Sequence, residues 1–258
     1  MPAPSAAGAP VLEVAAISKQ FDGLRAVDGV SFAVKNGEIL GIIGPNGAGK
    51  TVLINLISGF YPATSGRVRL SGEEVTSLPL HEIGRRGIAR TFQNIRLFRR
   101  MTVLENVLVA DPAHVRRPAR AFLAFGRQRA EIARAARYLE LMGLGARANH
   151  LAGTLPYGEA RRLEIARALA TEPKLLLLDE PAAGMNEEET AELVEDVRRA
   201  RGSVAAIVLI EHDMSLIQAL SDRVIAMDYG RVMAEGSPAA VLADPNVQRA
   251  YLGEEEIQ

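Results

Sequence analysis

The chain has 258 residues, a formal net charge of −1 and no cysteine. Disulfide frameworks and thiol chemistry are excluded, the charge balance argues against general nucleic-acid binding, and no apolar run approaches the ~18 residues that span a bilayer. The length suffices for a sizeable core in one large domain or two small ones.

The first ten residues, MPAPSAAGAP, have neither a basic start nor a long apolar stretch. They are expected to be a disordered tail rather than a secretory signal. Residues 11–17 and 30–34 alternate as strands, with turn signals at Asp22-Gly23 and Asn36-Gly37, and read as an antiparallel flap. Residues 38–43 form an apolar strand, and 51–57 read as a helix ended by Ser58-Gly59. Short strands are expected over 67–70 and 88–92. Residues 101–143 read as mainly helical, interrupted around Asp111-Pro112 and Pro118. A clear helix is expected over 159–170, with Leu163, Ala166, Leu169 and Ala170 on one face. The four leucines 175–178 suit a buried parallel strand. A helix over 186–201 carries acids early and arginines late, as the helix dipole favours, and strands follow over 204–210 and 224–227. Strands and helices alternate in the first and last thirds, with a helical block between. The fold class expected is α/β, with a mainly parallel sheet core, a β flap and an inserted helical subdomain. The boundaries expected are a tail over 1–10, a core over 11–92 and 172–258, and a helical part over 93–171.

Between the strand at 38–43 and the helix at 51–57 stands GPNGAGKT, which fits G-x-x-x-x-G-K-[ST] in the strand–loop–helix context that motif requires. Gly44, Gly47 and Gly49 let the backbone curl so that its N–H groups meet phosphate oxygens, and the helix N-terminus adds partial positive charge. Lys50 supplies a full charge for the outer phosphates, and the Thr51 hydroxyl is placed to hold Mg²⁺. Pro45, Asn46, Ala48 and Val52 complete the expected nucleotide contacts. The leucine strand ends in Asp179-Glu180, and carboxylates at such a strand end face the crevice where open α/β sheets bind ligands. Asp179 can then hold Mg²⁺, and Glu180 can act as general base on a water attacking the γ-phosphate. His212 follows another buried strand and can reach the same crevice, to bond the γ-phosphate and the attacking water. Gln93 ends a further strand and could meet Mg²⁺ and water.

Charge is uneven along the chain. Thirteen arginines lie between residues 85 and 137, against Glu105, Asp111 and Glu131; between 179 and 196 there are eight acids and no base. Solvated helix faces explain this, and so does docking of the arginine-rich segment on a partner or near anionic lipid.

GPNGAGKT, Gln93, LPYGE at 155–159, LLLLDE and His212, in that order, resemble the ATP-binding cassette ATPases of ABC transporters, over residues 11–253. More narrowly, LPYGEARRLEIARAL, DEPAAGMN, LIEHDMSLI and AYLGE are similar to the ATPases of branched-chain amino acid uptake systems, which the helical insertion between 109 and 141 also suits. The resemblance implies ATP hydrolysis, with ATP and Mg²⁺ bound, on a subunit peripheral to the cytoplasmic face of the cell membrane through transmembrane permease subunits. It implies a head-to-tail dimer, with a copy of itself or a related ATPase, in which each ATP also meets Tyr157, Gly158 and Glu159 of the opposite subunit. Phe21 matches the aromatic that stacks on adenine, the alternative being an ordinary core Phe. Residues 182–186 match the loop crossing the dimer interface, and Gln93 with the following Arg-rich helices matches the surface where the permease inserts a coupling helix. Two positions depart from the wider pattern. Pro156 stands where Ser is usual, removing a hydroxyl and an N–H, and Asn186 stands where many cassettes carry Asp. Rival readings are import of urea or another amide, lipopolysaccharide export, a soluble cassette uncoupled from transport, and a nucleotide-gated binding module.

Overall fold

The computed structural model describes residues 9–76, 78–111 and 125–255. Of the expected tail only Ala9 and Pro10 fall within these residues, and the interruption at Pro112 and Pro118 falls outside them.

Strands β1 (Leu12–Phe21) and β2 (Leu24–Val34) form an antiparallel hairpin. Asp22 and Gly23 turn it with φ of 41° and 97°, the left-handed pair that matches strand twist in a two-residue turn. Strand β4 (Ser65–Leu70) pairs with the other edge of β1, and β5 (Glu73–Glu74) completes the order β2-β1-β4-β5. This sheet is the flap, and its β1 and β2 are longer than the sequence pattern suggests.

The second sheet has the order β10-β9-β3-β8-β7-β6, from β3 (Ile39–Ile43), β6 (Ile88–Arg90), β7 (Leu175–Asp179), β8 (Ala206–Ile210), β9 (Arg223–Asp228) and β10 (Arg231–Gly236). All its neighbours run parallel except β9 and β10. Every residue of β3, β7 and β8 is buried, as strands covered on both faces require. Alternation then sorts their side chains. Leu176, Leu178, Ile207 and Leu209 enter the core on the helical side, while Leu175, Leu177, Val208 and Ile210 enter the core beneath the flap.

Helix α1 (Lys50–Ile57) follows β3, and α2 (Leu80–Arg86) precedes β6. Helices α3 (Val103–Leu108), α4 (Phe125–Leu141) and α5 (Tyr157–Leu169) pack on one another. Helix α5 begins two residues before the expected start, because extended Pro156 serves as its N-cap. Helix α6 (Glu187–Arg201) opens with a capping box between Asn186 and Glu189. The chain closes through α7 (Met214–Leu220), α8 (Pro238–Leu242) and α9 (Pro245–Glu255).

Register decides what meets at the sheet's carboxyl edge. Ile42 of β3 and Asp179 of β7 both pair with Ile210 of β8, and Arg90 of β6 pairs with Leu177. The segments after β3, β6, β7 and β8 therefore emerge side by side, where ligands of such sheets bind.

Candidate active site

The loop after β3 needs glycine for two reasons. Gly44, Gly47 and Gly49 have φ of 150°, 78° and 97°, values that L side chains resist. At Gly44 a Cβ would also lie 2.2 Å from the Met227 carbonyl oxygen, and at Gly49 one would lie 2.4 Å from that of Ala26. The loop is thus wedged between β9 and the flap. Gly47 has no atom near its missing Cβ, so only its φ favours glycine. Lys50 is buried, and its Nζ donates to the carbonyls of Gly44 at 2.5 Å and Pro45 at 2.9 Å. The ammonium thus folds back over the loop. From the far end of the chain, the Tyr251 hydroxyl accepts the Gly44 N–H at 2.6 Å. Within AYLGE this tyrosine reads as a family mark, and only the fold shows it against the loop. We expect Gly49→Ala to abolish ATP binding while the chain stays folded. Isothermal titration checks this, and an unchanged affinity would show that the loop tolerates the shift.

Asp179 ends β7 in a buried place. Its Oδ2 pairs with Arg90 Nη2 at 2.8 Å, and Arg90 Nη1 donates to Asn55 Oδ1 at 2.5 Å and Ser58 Oγ at 3.2 Å. One guanidinium thus joins β6, β7 and the end of α1. The sequence signal was a cation closing the otherwise apolar Ile88-Ala89-Arg90. Removing one member of a buried pair leaves the other charged without compensation. Arg90→Met is therefore expected to destabilise the fold by about 3–5 kcal/mol. Denaturant unfolding tests this, and an unshifted midpoint would show that Arg90 is not a strut.

Glu180 has φ of 47°, a left-handed conformation costing a non-glycine residue about 1–3 kcal/mol. Its N–H donates to the Ile210 carbonyl at 3.0 Å, and its Oε2 accepts from Gln93 Nε2 at 2.7 Å. Two expected site residues therefore touch. His212 does not join them: its side chain is 64% exposed, with Nδ1 3.7 Å from Glu211 Oε2. Glu211, which sequence reasoning passed over, is buried and accepts the Ala182 N–H at 2.8 Å and the His212 N–H at 3.2 Å. Burial pushes its carboxyl above the usual range, and the Ala182 amide pulls it back. It ties loop 182–186 to the segment carrying His212.

Phe21 is 36% exposed at the rim of the flap, edge-on to Tyr61 with ring centroids 5.3 Å apart. The core-Phe alternative is thereby overturned. Thr51 is exposed at the start of α1. Tyr157, Gly158 and Glu159 open α5. The Tyr157 hydroxyl donates to the Ala183 carbonyl at 2.8 Å, and Glu159 pairs with Arg147 at 3.1 Å. The Gly158 N–H donates to Glu189 Oε1 at 3.2 Å, while Glu189 Oε2 accepts the Asn186 N–H at 3.1 Å. The head of α5 is thus engaged by the loop and helix that follow β7. The N-x-x-E box at 186–189 was the available hint of Glu189.

A cleft of about 1050 Å³ opens beside β6, α2 and α5, lined by Arg85, Arg86, Arg96, Arg167 and Lys174 against Glu164 and Glu172. Part of the arginine-rich segment therefore faces a cleft rather than open solvent.

A glycine loop between strand and helix, ending in Lys50-Thr51, with acids at the end of a neighbouring parallel strand, defines a P-loop nucleoside triphosphatase. The family model described as ABC transporter matches residues 27–183. A second, described as Branched-chain amino acid ATP-binding cassette transporter, matches residues 231–257. The chain belongs to the ABC transporter family of ATP-binding, ATP-hydrolysing cassettes. It is 46% identical over 251 residues to the high-affinity branched-chain amino acid transport ATP-binding protein BraF of Pseudomonas aeruginosa, covering 95% of this chain and 98% of that protein. It is 45% identical over the same length, with the same coverages, to the corresponding LivG of Escherichia coli K12. Among solved structures, the ADP conformation of the ABC transporter cassette MJ1267 superposes with a TM-score of 0.84 at 32% identity, covering 95% of this chain and 100% of that one.

Proposed function

We propose that this chain is the ATPase subunit of an importer of branched-chain amino acids. The observation that carries the chemistry is the convergence of loop 44–51, Asp179 and the Gln93–Glu180 pair on one sheet edge. The substrate class is supported by the two relatives at 45–46% identity across 95% of the chain.

Gly44 to Val52 and Lys50 hold the phosphate chain, and rim-exposed Phe21 is available to stack on adenine. Glu180 takes a proton from the water that attacks the γ-phosphorus as the β–γ bridging bond breaks, releasing ADP and phosphate. Gln93 orients Glu180 through the bond described above. His212, exposed at the same edge, is available to the γ-phosphate. Among the described residues no group of three His, Cys, Asp or Glu side chains could hold a metal by itself. A cation here relies on phosphates plus the Thr51 hydroxyl, the Gln93 amide oxygen and the Asp179 carboxylate, a hard-oxygen set that suits Mg²⁺. Bound there, Mg²⁺ would neutralise charge on the phosphates. Asp179 must then share its carboxylate between the ion and Arg90.

The chain acts as one half of a head-to-tail dimer, with Tyr157, Gly158 and Glu159 facing the ATP of the other half. The helical part, 93–171, and the basic cleft it shares with α2 and β6 face the permease subunits. Among the described residues no helix is long and apolar enough to cross a membrane. In this reading the permease supplies the membrane attachment, at the cytoplasmic face. Proteoliposomes holding this ATPase and the permease encoded beside it, supplied with an external amino-acid-binding receptor from the same gene cluster, test the substrate. Leucine-loaded receptor should stimulate hydrolysis; stimulation by urea alone would refute the amino-acid reading.

Pro156 caps α5 without a side-chain bond. Pro156→Ser would add a capping hydroxyl, worth about 1 kcal/mol, and a donor toward the other subunit's ATP. In a Glu180→Gln background, sedimentation with ATP should show tighter dimers, and unchanged dimerisation would make Pro156 irrelevant to the contact.

A further inference from the structure

Arg161 lies one turn into α5 and is fully buried, the largest side chain so placed among the described residues. Burying a guanidinium is costly unless its donors are met. Nη1 donates to the Phe92 carbonyl at 2.6 Å and to Glu164 Oε2 at 2.9 Å. Nη2 donates to the Gln93 carbonyl at 2.6 Å and to the Tyr157 hydroxyl at 3.3 Å. Nε has no partner. The fork thus grips two successive carbonyls of the segment leaving β6, at the residue whose side chain holds Glu180. That segment has already left the sheet: Thr91 makes the last ladder bond, its N–H to the Leu177 carbonyl at 3.0 Å. The path from the head of α5 to the carboxylate at the γ-phosphate side is continuous, Tyr157 to Arg161 to Gln93 to Glu180.

We propose that Arg161 is a positioning residue for hydrolysis. It sets the backbone of Gln93 and, through the Gln93 side chain, the orientation of Glu180, so that the carboxylate's readiness depends on where α5 sits. The proposal rests on Glu180 being the general base. A plain strut between α5 and the sheet would use the same bonds but would affect stability alone. Lysine separates the two roles, because one ammonium keeps the charge and loses the planar fork that spans both carbonyls.

The test is a double-mutant cycle of Arg161→Lys and Gln93→Ala. Turnover is expressed per nucleotide-binding site, so unfolded protein does not enter the ratio. Arg161→Lys should lower kcat about 10- to 100-fold, the usual cost of a small misplacement, with KM for ATP within about twofold. In the Gln93→Ala background the same substitution should cost nothing further. An unchanged kcat, or an equal loss in both backgrounds, overturns the proposal. If the lysine variant does not fold, Arg161→Gln enters the same cycle with the same two outcomes. The base assignment is judged separately: if Glu180→Gln in the wild-type background keeps full turnover, that assignment fails whatever the cycle shows.

Discussion

Glu180→Gln is expected to bind ATP as the native chain does and to lose about 10² to 10⁴ in turnover, the worth of a general base. The substitution keeps side-chain length and the left-handed backbone at that position, where φ is 47°. It also keeps an acceptor for Gln93 Nε2, which lies 2.7 Å from the native carboxylate. What disappears is the proton acceptor for the attacking water. At ~1.4 kcal/mol per decade the loss corresponds to roughly 3–5 kcal/mol of transition-state stabilisation. Steady-state phosphate release gives the rate, and a fluorescent ATP analogue gives the affinity. Turnover within threefold of the native chain would remove Glu180 from the role. A parallel fall in affinity would mean that it binds substrate rather than activating water.

Lys50→Met should act on the other side of the reaction, weakening ATP binding itself by about 10² to 10³. Hydrogen bonds involving charged groups each contribute about 1.5–3 kcal/mol, and the Lys50 ammonium is poised over the loop, on the Gly44 and Pro45 carbonyls at 2.5 and 2.9 Å. Methionine keeps the apolar stem within the buried site and deletes the charge. The fold should survive, because β3 is held by β8 and β9. Equilibrium dialysis with labelled ATP reads the affinity. Binding within a few-fold of native would place the phosphates somewhere other than this loop.

The strand–loop–helix at 38–57 and the leucine strand ending in Asp179-Glu180 were legible because their signals are local: glycine spacing, an apolar run, a charge at its end. The limits of β6 and α5 were less so. The 88–92 strand stops at Arg90 because the next carbonyls turn to Arg161 instead of the ladder. Helix α5 starts at Tyr157 because Pro156 is compatible with a cap. The partners that complete the site were hidden by distance along the chain. Arg90 and Asp179 are 89 residues apart, Arg161 and the Gln93 carbonyl 68, and Tyr251 and Gly44 207. No periodicity links such positions; only the strand order β3-β8-β7-β6 brings most of them to one edge. Glu189 shows the same limit at shorter range. Its capping box was readable, but its second oxygen on the Gly158 amide was not.

The most direct measurement is a structure of the Glu180→Gln variant crystallised with Mg-ATP. The phosphate chain is expected along the amides of residues 44–51, with Lys50 on its outer groups and the side chains of Asp179 and of position 180 on the γ side. A phosphate chain bound elsewhere, or those two positions remote from it, would contradict the account at its root.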